Sequence, residues 1–429
     1  MRQVSSLHKA IVLGGTSAHI PLLVKLRKRG FFTLLVDHYD HPVAAPFSDV
    51  HYRISTLDAE AVLQLAKEEK VHLVISACVD QANVTACLVG EKLNLPVPYN
   101  HETAVKVCDK VMMKEIMQQA GIRTPKSRYL HDLGGLSGIE PVFPLIVKPA
   151  DGCGSKGVRV ARSGEELISF AQMAFNAGRS PKVVVEDFIS GREIVFEAFV
   201  QDRQVYAVSV YEKFNLYGKE TVVQCFRSLR PVNLEEETLH ELHSVAKRIV
   251  EAFGLHTTPL FIQTMVNDSG VHVIEFGARA AGGLAATATL EATGFDAVEA
   301  SINAYLGLPT DVSLKPDNGY LFTTNSIYSL PGVFSHVSGQ EELLEQGIID
   351  TFLTYKSKGM NIGSDMASSE RIAGFIVKGS NTEELNSKTE KALSRLKIWD
   401  VHMEEVMIRE PFLVAGQSHI GFPEAFSSI

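Results

Sequence analysis

The sequence predicts a mixed α/β and α+β protein: an N-terminal parallel α/β region, then sheets of antiparallel character, then a C-terminal α+β region. Three observations predict it. Up to about residue 100, short apolar strand-like runs alternate with amphipathic helical runs, the pattern of a parallel sheet with crossover helices. From Ser127 to Pro231, strand-like runs follow one another with one helix among them. Beyond residue 310, strands and helices mix again without the strict alternation of the first region.

The elements follow in order. Residues 9–15 read as a buried strand ending in a Gly-Gly turn, 18–29 as an amphipathic helix and 31–37 as a second strand. Residues 58–69 are helical by period, 71–77 form a strand and 81–93 another helix. The Gly14-Gly15-Thr16-Ser17 turn invites a dinucleotide site with Asp37 as ribose acid, but it lacks the glycine spacing that such a site requires. A small-ligand pocket or plain strand–helix packing suits it better. Two helical segments occupy 101–121, the second opening near Asp109 and closed by Gly121 and Pro125. Strands are expected at 145–150, 158–161, 183–188, 193–201, 204–210 and 221–231, with a helix at 164–177. A helix at 235–253 leads into two β-rich runs, 260–266 and 271–276, joined by Asp268-Ser269-Gly270 as a three-residue hairpin loop. A helix at 296–306, strands at 320–328 and 371–378, and a helix at 382–396 complete the chain. The expected domains are 1–108, 109–310 with a lid at about 125–187, and 311–429.

Composition excludes several function classes. In 429 residues, 45% are hydrophobic and 21% charged, which describes a folded globular chain. The balance of 41 basic against 50 acidic residues, with no long run of either sign, disfavours nucleic acid as a partner. Five cysteines without a Cys-x-x-Cys pair argue against a disulfide framework or zinc site and suit a reducing compartment. No apolar run is long enough to span a membrane, so a cytoplasmic protein is expected.

Three stretches carry candidate chemistry. In the hairpin, the three-residue loop pairs Gln263 with Glu275 on one face, with Arg279 four residues beyond. Oxygen donors beside an arginine suit a magnesium–nucleotide complex. In the second stretch, Lys148 ends a strand and faces a loop with Gly152, Gly154 and Gly157, where backbone N–H groups can approach phosphate. Lys156 in that loop is either a phosphate ligand or a solvated residue, and Cys153 reads as a small filler. In the third, Glu186-Asp187-Phe188-Ile189-Ser190-Gly191-Arg192-Glu193 connects two strands and can offer backbone groups to an adenine edge and an acid to ribose hydroxyls.

Taken in this order, the three stretches resemble the ATP-grasp superfamily over roughly residues 1–310, and most closely its carboxylate–amine ligases, the L-amino acid ligases included. The segment from Ser369 to Gly379 resembles their last domain. The resemblance implies that Lys110 and Lys148 touch ATP phosphates, with Gly152, Gly154, Ser155, Lys156 and Gly157 in the loop that closes over them. It implies Glu186, Asp187 and Phe188 at adenine, Glu193 at ribose, Gln263 and Glu275 on Mg2+ or Mn2+, and Arg279 at the transferring phosphoryl group. Catalysis would rest on Arg279, Lys148 and Glu275. Two departures stand out: Gln263 replaces a common carboxylate, and Gly277 stands where many members place asparagine. The implied activity is amide formation between a small-molecule carboxylate and an amine through an acyl phosphate. A bicarbonate-activating enzyme and a nucleotide-binding protein without turnover are the alternatives. Gly282 and Gly283 would let backbone approach the acyl site, and His19, Lys213, Arg227 and Arg230 are candidate contacts for substrate carboxylates. A homodimer is the default assembly.

Overall fold

The computed structural model describes residues 8–150, 157–177, 182–217, 222–317, 319–363 and 370–409. Its N-terminal sheet holds four parallel strands in the order Val50–Arg53, Phe31–Asp37, His8–Leu13, Leu73–Ile75. The two central strands are buried from Ala10 and from Thr33 onward, and mostly apolar there, as expected when helices cover both faces. Helices Ile20–Lys28, Ala59–Glu69 and Asp80–Lys92 supply that cover. Helix Ala297–Leu306, far along the chain, joins the same core through Val298, Ile302 and Tyr305. Lys25 to Asp296 at 2.5 Å fastens it from outside.

A small antiparallel sheet follows, ordered Ser127–Leu130, Val183–Asp187, Leu145–Pro149, Arg159–Ala161, with helix Gly164–Ala177 packed on it. The largest sheet has eight antiparallel strands. It begins at the hairpin Gly270–Gly277 and Thr258–Asn267 and continues through Arg192–Gln201, Gln204–Tyr217 and Val222–Arg230. It then takes in Leu321–Ile327, Ala373–Gly379 and Thr351–Thr354 from the C-terminal segment. Helix Glu236–Phe253 seals the hairpin end with Leu242, Val245 and Ile249. A three-stranded sheet of Asn361–Ile362, Gly332–Ser338 and Lys397–Asp400 closes the C-terminal side.

The hairpin corrects one expectation while keeping its outcome. Asn267 pairs with Gly270, so the loop is a two-residue turn and not a three-residue one. Gly270 follows the turn at φ +105°, a conformation that favours glycine. The shorter loop alone would put Gln263 opposite Ile274. A bulge between Gln263 and Thr264 restores the pairing of Gln263 with Glu275. Its extra residue breaks the alternation of the strand. Val271, Val273 and Phe276 are buried in the core, while Ile274 and Glu275 both face a cavity on the other side.

Candidate active site

The cavity lies between the small sheet and the large one and measures about 140 Å³. Lys148 and Ile146 reach it from one strand of the small sheet, Glu186 and Asp187 from the next, and Phe188 and Ile189 from the connector. Gln263 and Met265 face it from one hairpin strand, Ile274 and Glu275 from the other, and Glu193, Lys213 and Asn215 from the neighbouring strands. Spacing by two keeps Ile146 with Lys148 and Gln263 with Met265 on one face, while the bulge brings Ile274 to the side of Glu275. Lys110 enters from helix Lys110–Gln119, whose Asp109 cap accepts from the amides of Val111 and Met112. Cations in a first helical turn oppose the helix dipole and need anions nearby; the cavity supplies them.

Three of its four carboxylates are glutamates, and these differ in how fully the protein uses them. Glu186 is buried and accepts from Lys148 Nζ at 2.6 Å and Ser127 Oγ at 3.0 Å, with Lys114 Nζ 3.1 Å away. Burial alone would raise its pKa, but the two lysines outweigh it and hold the group well below the ordinary carboxylate range. Burial pulls Lys114 down to about 8, against the attraction of Glu186. Glu193 accepts from Lys213 Nζ at 2.5 Å and from Asn215 Nδ2. Glu275 is 40% exposed along its side chain, and Lys110 Nζ stands 3.8 Å off, beyond hydrogen-bond distance. A carboxylate has about four acceptor sites. Glu186 has given most of them to the protein, Glu193 about half, and Glu275 few.

Eight of the residues expected at the site thus share one cavity: Lys110, Lys148, Glu186, Asp187, Phe188, Glu193, Gln263 and Glu275. Gly157 is described at φ +73° beside Pro149, whereas Gly152, Cys153, Gly154, Ser155 and Lys156 lie outside the described residues. Two placements revise expectation. Glu186, assigned to the adenine edge, acts as the holder of two lysines. Arg279 does not line this cavity: Nε and Nη2 both bond Asp80 at 2.6 Å, Nη1 donates to the Ala280 carbonyl, and its plane lies over the Phe261 ring. The cause is tertiary. Tyr99 Oη and Thr258 Oγ1 both donate to the Ala278 carbonyl, fixing the chain before Arg279 against the start of helix Asp80–Lys92. Lys114 was missed, although it follows Lys110 by four residues on the same helical face.

A second cavity, about 280 Å³ and mostly apolar, opens between the N-terminal sheet and the segment after the hairpin. Ser17, Ala18 and Cys78 wall one side; Ala280, Gly283 and Leu290 wall the other. The dinucleotide reading of the turn beside it fails on Asp37, whose Oδ2 accepts from the Gly15 amide at 2.6 Å and whose Oδ1 accepts from Tyr39. That acid closes the turn. Of the other carboxylate-contact candidates, Lys213 holds Glu193 and Arg227 donates to Asn325 Oδ1. Arg230 is buried beneath helix Ala285–Thr293, donating to Ala285 and Thr289, and His19 pairs with Cys78.

A family model for the ATP-grasp domain matches residues 141–288, the span that supplies most of the first cavity. The chain carries an ATP-grasp domain. Across that region and beyond, it is similar to a D-alanine–D-alanine ligase of Pediococcus pentosaceus, at 29% identity over 39% of this chain and 48% of that protein. It is also similar to a formate-dependent phosphoribosylglycinamide formyltransferase of Proteus mirabilis, at 26% identity over 59% of this chain and 65% of the relative. The chain therefore spans between about half and two thirds of the length of these curated relatives. In fold it matches an L-amino acid ligase from Bacillus licheniformis with a TM-score of 0.77, at 21% identity over 92% of this chain and 98% of that one. The biotin carboxylase domain of 2-oxoglutarate carboxylase from Hydrogenobacter thermophilus gives 0.74, at 18% identity over 94% and 92%.

Within the ATP-grasp domain, Gly277 has a local physical reason. It pairs with Phe261, and a Cβ there would lie 2.4 Å from the Phe261 ring. The ring on which Arg279 stacks therefore fills the place of a side chain at 277. Gln263 and Glu275, cross-strand neighbours on the cavity face, are the residues that would hold a divalent cation. Two oxygen donors of this kind fit magnesium, which keeps several waters and takes substrate phosphates as further ligands. Among the described residues, no group of three or more His, Cys, Asp or Glu could hold a metal ion.

Proposed function

We propose that this protein is an ATP-dependent ligase that joins a small-molecule carboxylate to an amine, an amino acid pair being the leading choice, and releases ADP and phosphate. The observation that carries the reading is the convergence of Lys110, Lys148 and Lys213 with the half-open Glu275 in a cavity walled by Ile146, Ile189, Met265 and Ile274, with Lys114 buried behind it on Glu186. The cations suit phosphates, and the apolar walls suit a flat base. Lys148, aimed by Glu186, and Lys110, beside Glu275, would bind the phosphates, while Glu193 keeps acceptor capacity for ribose hydroxyls. A divalent cation held by Gln263 and Glu275 would polarise phosphoryl oxygens.

The apolar 280 Å³ cavity would seat the acid's side chain. One carboxylate oxygen attacks the γ-phosphorus as the bond to the β-phosphate oxygen breaks, and ADP leaves. The amine nitrogen then forms the amide bond, phosphate departs, and the amine gives up a proton. The chain's own contribution is placement and charge, the usual demand of phosphoryl transfer. Arg279 stands next to Ala280 at the second cavity, where it would meet the developing charge once it lets go of Asp80. The segment 125–187 would serve as the lid that keeps water from the acyl phosphate. A cytoplasmic setting, a homodimer and domain limits at 108 and 310 belong to the same proposal.

The test is an ADP- and phosphate-release screen over pairs of amino acids and small carboxylic acids, with magnesium and ATP and with bicarbonate in the panel. Release that needs both an acid and an amine is the expected result. Release with bicarbonate alone would move the protein to bicarbonate activation. Tight nucleotide binding without release across the whole panel would defeat the ligase reading.

A further inference from the structure

Cys78 follows strand Leu73–Ile75 and stands two residues before helix Asp80–Lys92, where the helix dipole favours an anion. Its Sγ lies 3.7 Å from Nε2 of His19, and His19 Nδ1 lies 2.9 Å from Thr16 Oγ1. The imidazole cannot swing away: His19 is fully buried, and its ring packs so close to Gly14, at φ +115°, that no Cβ would fit there. With Nδ1–H donated to Thr16, Nε2 is the free acceptor for the thiol proton. Cys78 itself is half-buried and lines the 280 Å³ cavity. Ser17, in the same wall and 1% exposed, has a hydroxyl without a hydrogen-bond partner.

We propose that Cys78 is a reactive thiol whose proton passes to His19 and whose sulfur opens into the apolar cavity, making it a covalent modification site for small uncharged electrophiles. In the step, a sulfur lone pair forms the new bond to the electrophilic carbon, the leaving group departs with its bonding pair, and the thiol proton remains on His19 until solvent takes it. The charged groups around the pair are Asp37 near His19, and Arg279 with its partner Asp80 near Cys78. Burial opposes ionisation of Cys78, but His19 and then Arg279 outweigh burial and Asp80 and lower its pKa. The other described cysteines go the opposite way. Burial pushes Cys87 and Cys108 up to about 12 and raises Cys225, whose Sγ donates to the Arg227 carbonyl.

The test is labelling of the folded full-length chain with iodoacetamide from pH 6 to 9, with each cysteine followed by peptide mass spectrometry. Cys78 should react at pH 7 about tenfold or more faster than Cys87, Cys108 and Cys225, because each pH unit of lowered thiol pKa gives about tenfold more thiolate. His19→Gln should move the midpoint of the Cys78 rate profile upward and leave the other three unchanged. Equal rates for Cys78 and Cys225 in the wild type would overturn the proposal, and so would a midpoint unmoved in a folded His19→Gln chain. The wild-type comparison stands by itself if that variant misfolds. Labelling needs no turnover, so its outcome is independent of the ligase reading.

Discussion

Glu186 and Glu275 face the same cavity from opposite sheets, yet they are different kinds of acid. Glu186 is 3% exposed and gripped by Lys148 and Lys114; Glu275 is 40% exposed along its side chain, with one lysine at 3.8 Å. The difference teaches what a buried carboxylate is for. An acid whose oxygens are consumed by protein cations is a positioning element, because its own desolvation leaves it nothing to offer a ligand. An acid left with open acceptor sites among cations is placed for something that comes from outside.

The sharpest way to break this comparison is to neutralise each acid in turn. Glu186→Gln leaves two buried lysines without their counter-charge and should cost about 3–5 kcal/mol in urea unfolding, the range for breaking a buried pair. Glu275→Gln should cost clearly less than that, because its side chain is half-open and its nearest lysine stands beyond hydrogen-bond distance. It should nonetheless cut ADP release by about a hundredfold or more, the scale for losing one charge-stabilising group. The reverse pattern would show that the two roles are exchanged.

Between these lies a packing effect. Gly277→Ala drives a methyl into the Phe261 ring and should cost about 1–3 kcal/mol, the range for overpacking. A measured change near zero would mean that the ring has room to move.

The smallest effect is a slope with pH. The lysines hold Glu186 below its ordinary value, so the unfolded chain takes up the proton first as pH falls. Its contribution is present above about pH 4.5 and is lost as the medium is acidified below that. Urea midpoints measured from pH 5 downward should therefore fall faster for the wild type than for Glu186→Gln. Parallel slopes would count against Glu186 as the acid-sensitive group.

The strands and most residues of the shared cavity were legible in the sequence; the contrast between its two acids was not, and the reasons are physical. The strand runs and the Gln263–Glu275 pairing could be read because side-chain period and turn residues are local signals. The pairing nonetheless rests on a bulge at Ile274 that no residue pattern announced; a shorter turn and an extra residue cancel. Lys114 was readable from its spacing to Lys110 and was passed over. The bond between Arg279 and Asp80 spans 199 positions and depends on how two sheets meet, which no window of sequence holds. Helix Ala285–Thr293 escaped because its run of alanine and threonine has scarcely any polar face to contrast with an apolar one. The short C-terminal strands, such as Asn361–Ile362, are too brief to show a period.

The aromatic ring over Gly277 bears on the order in which the active-site components assemble. An apolar disc stands where another oxygen donor could have stood, so the empty protein presents a divalent ion with little more than one acid and one amide. Such a pair holds a free hydrated cation weakly, since magnesium surrenders its waters reluctantly. Metal is thus expected to arrive already chelated by the triphosphate, and the concentration of that complex, more than of either component by itself, would govern how often the site is filled.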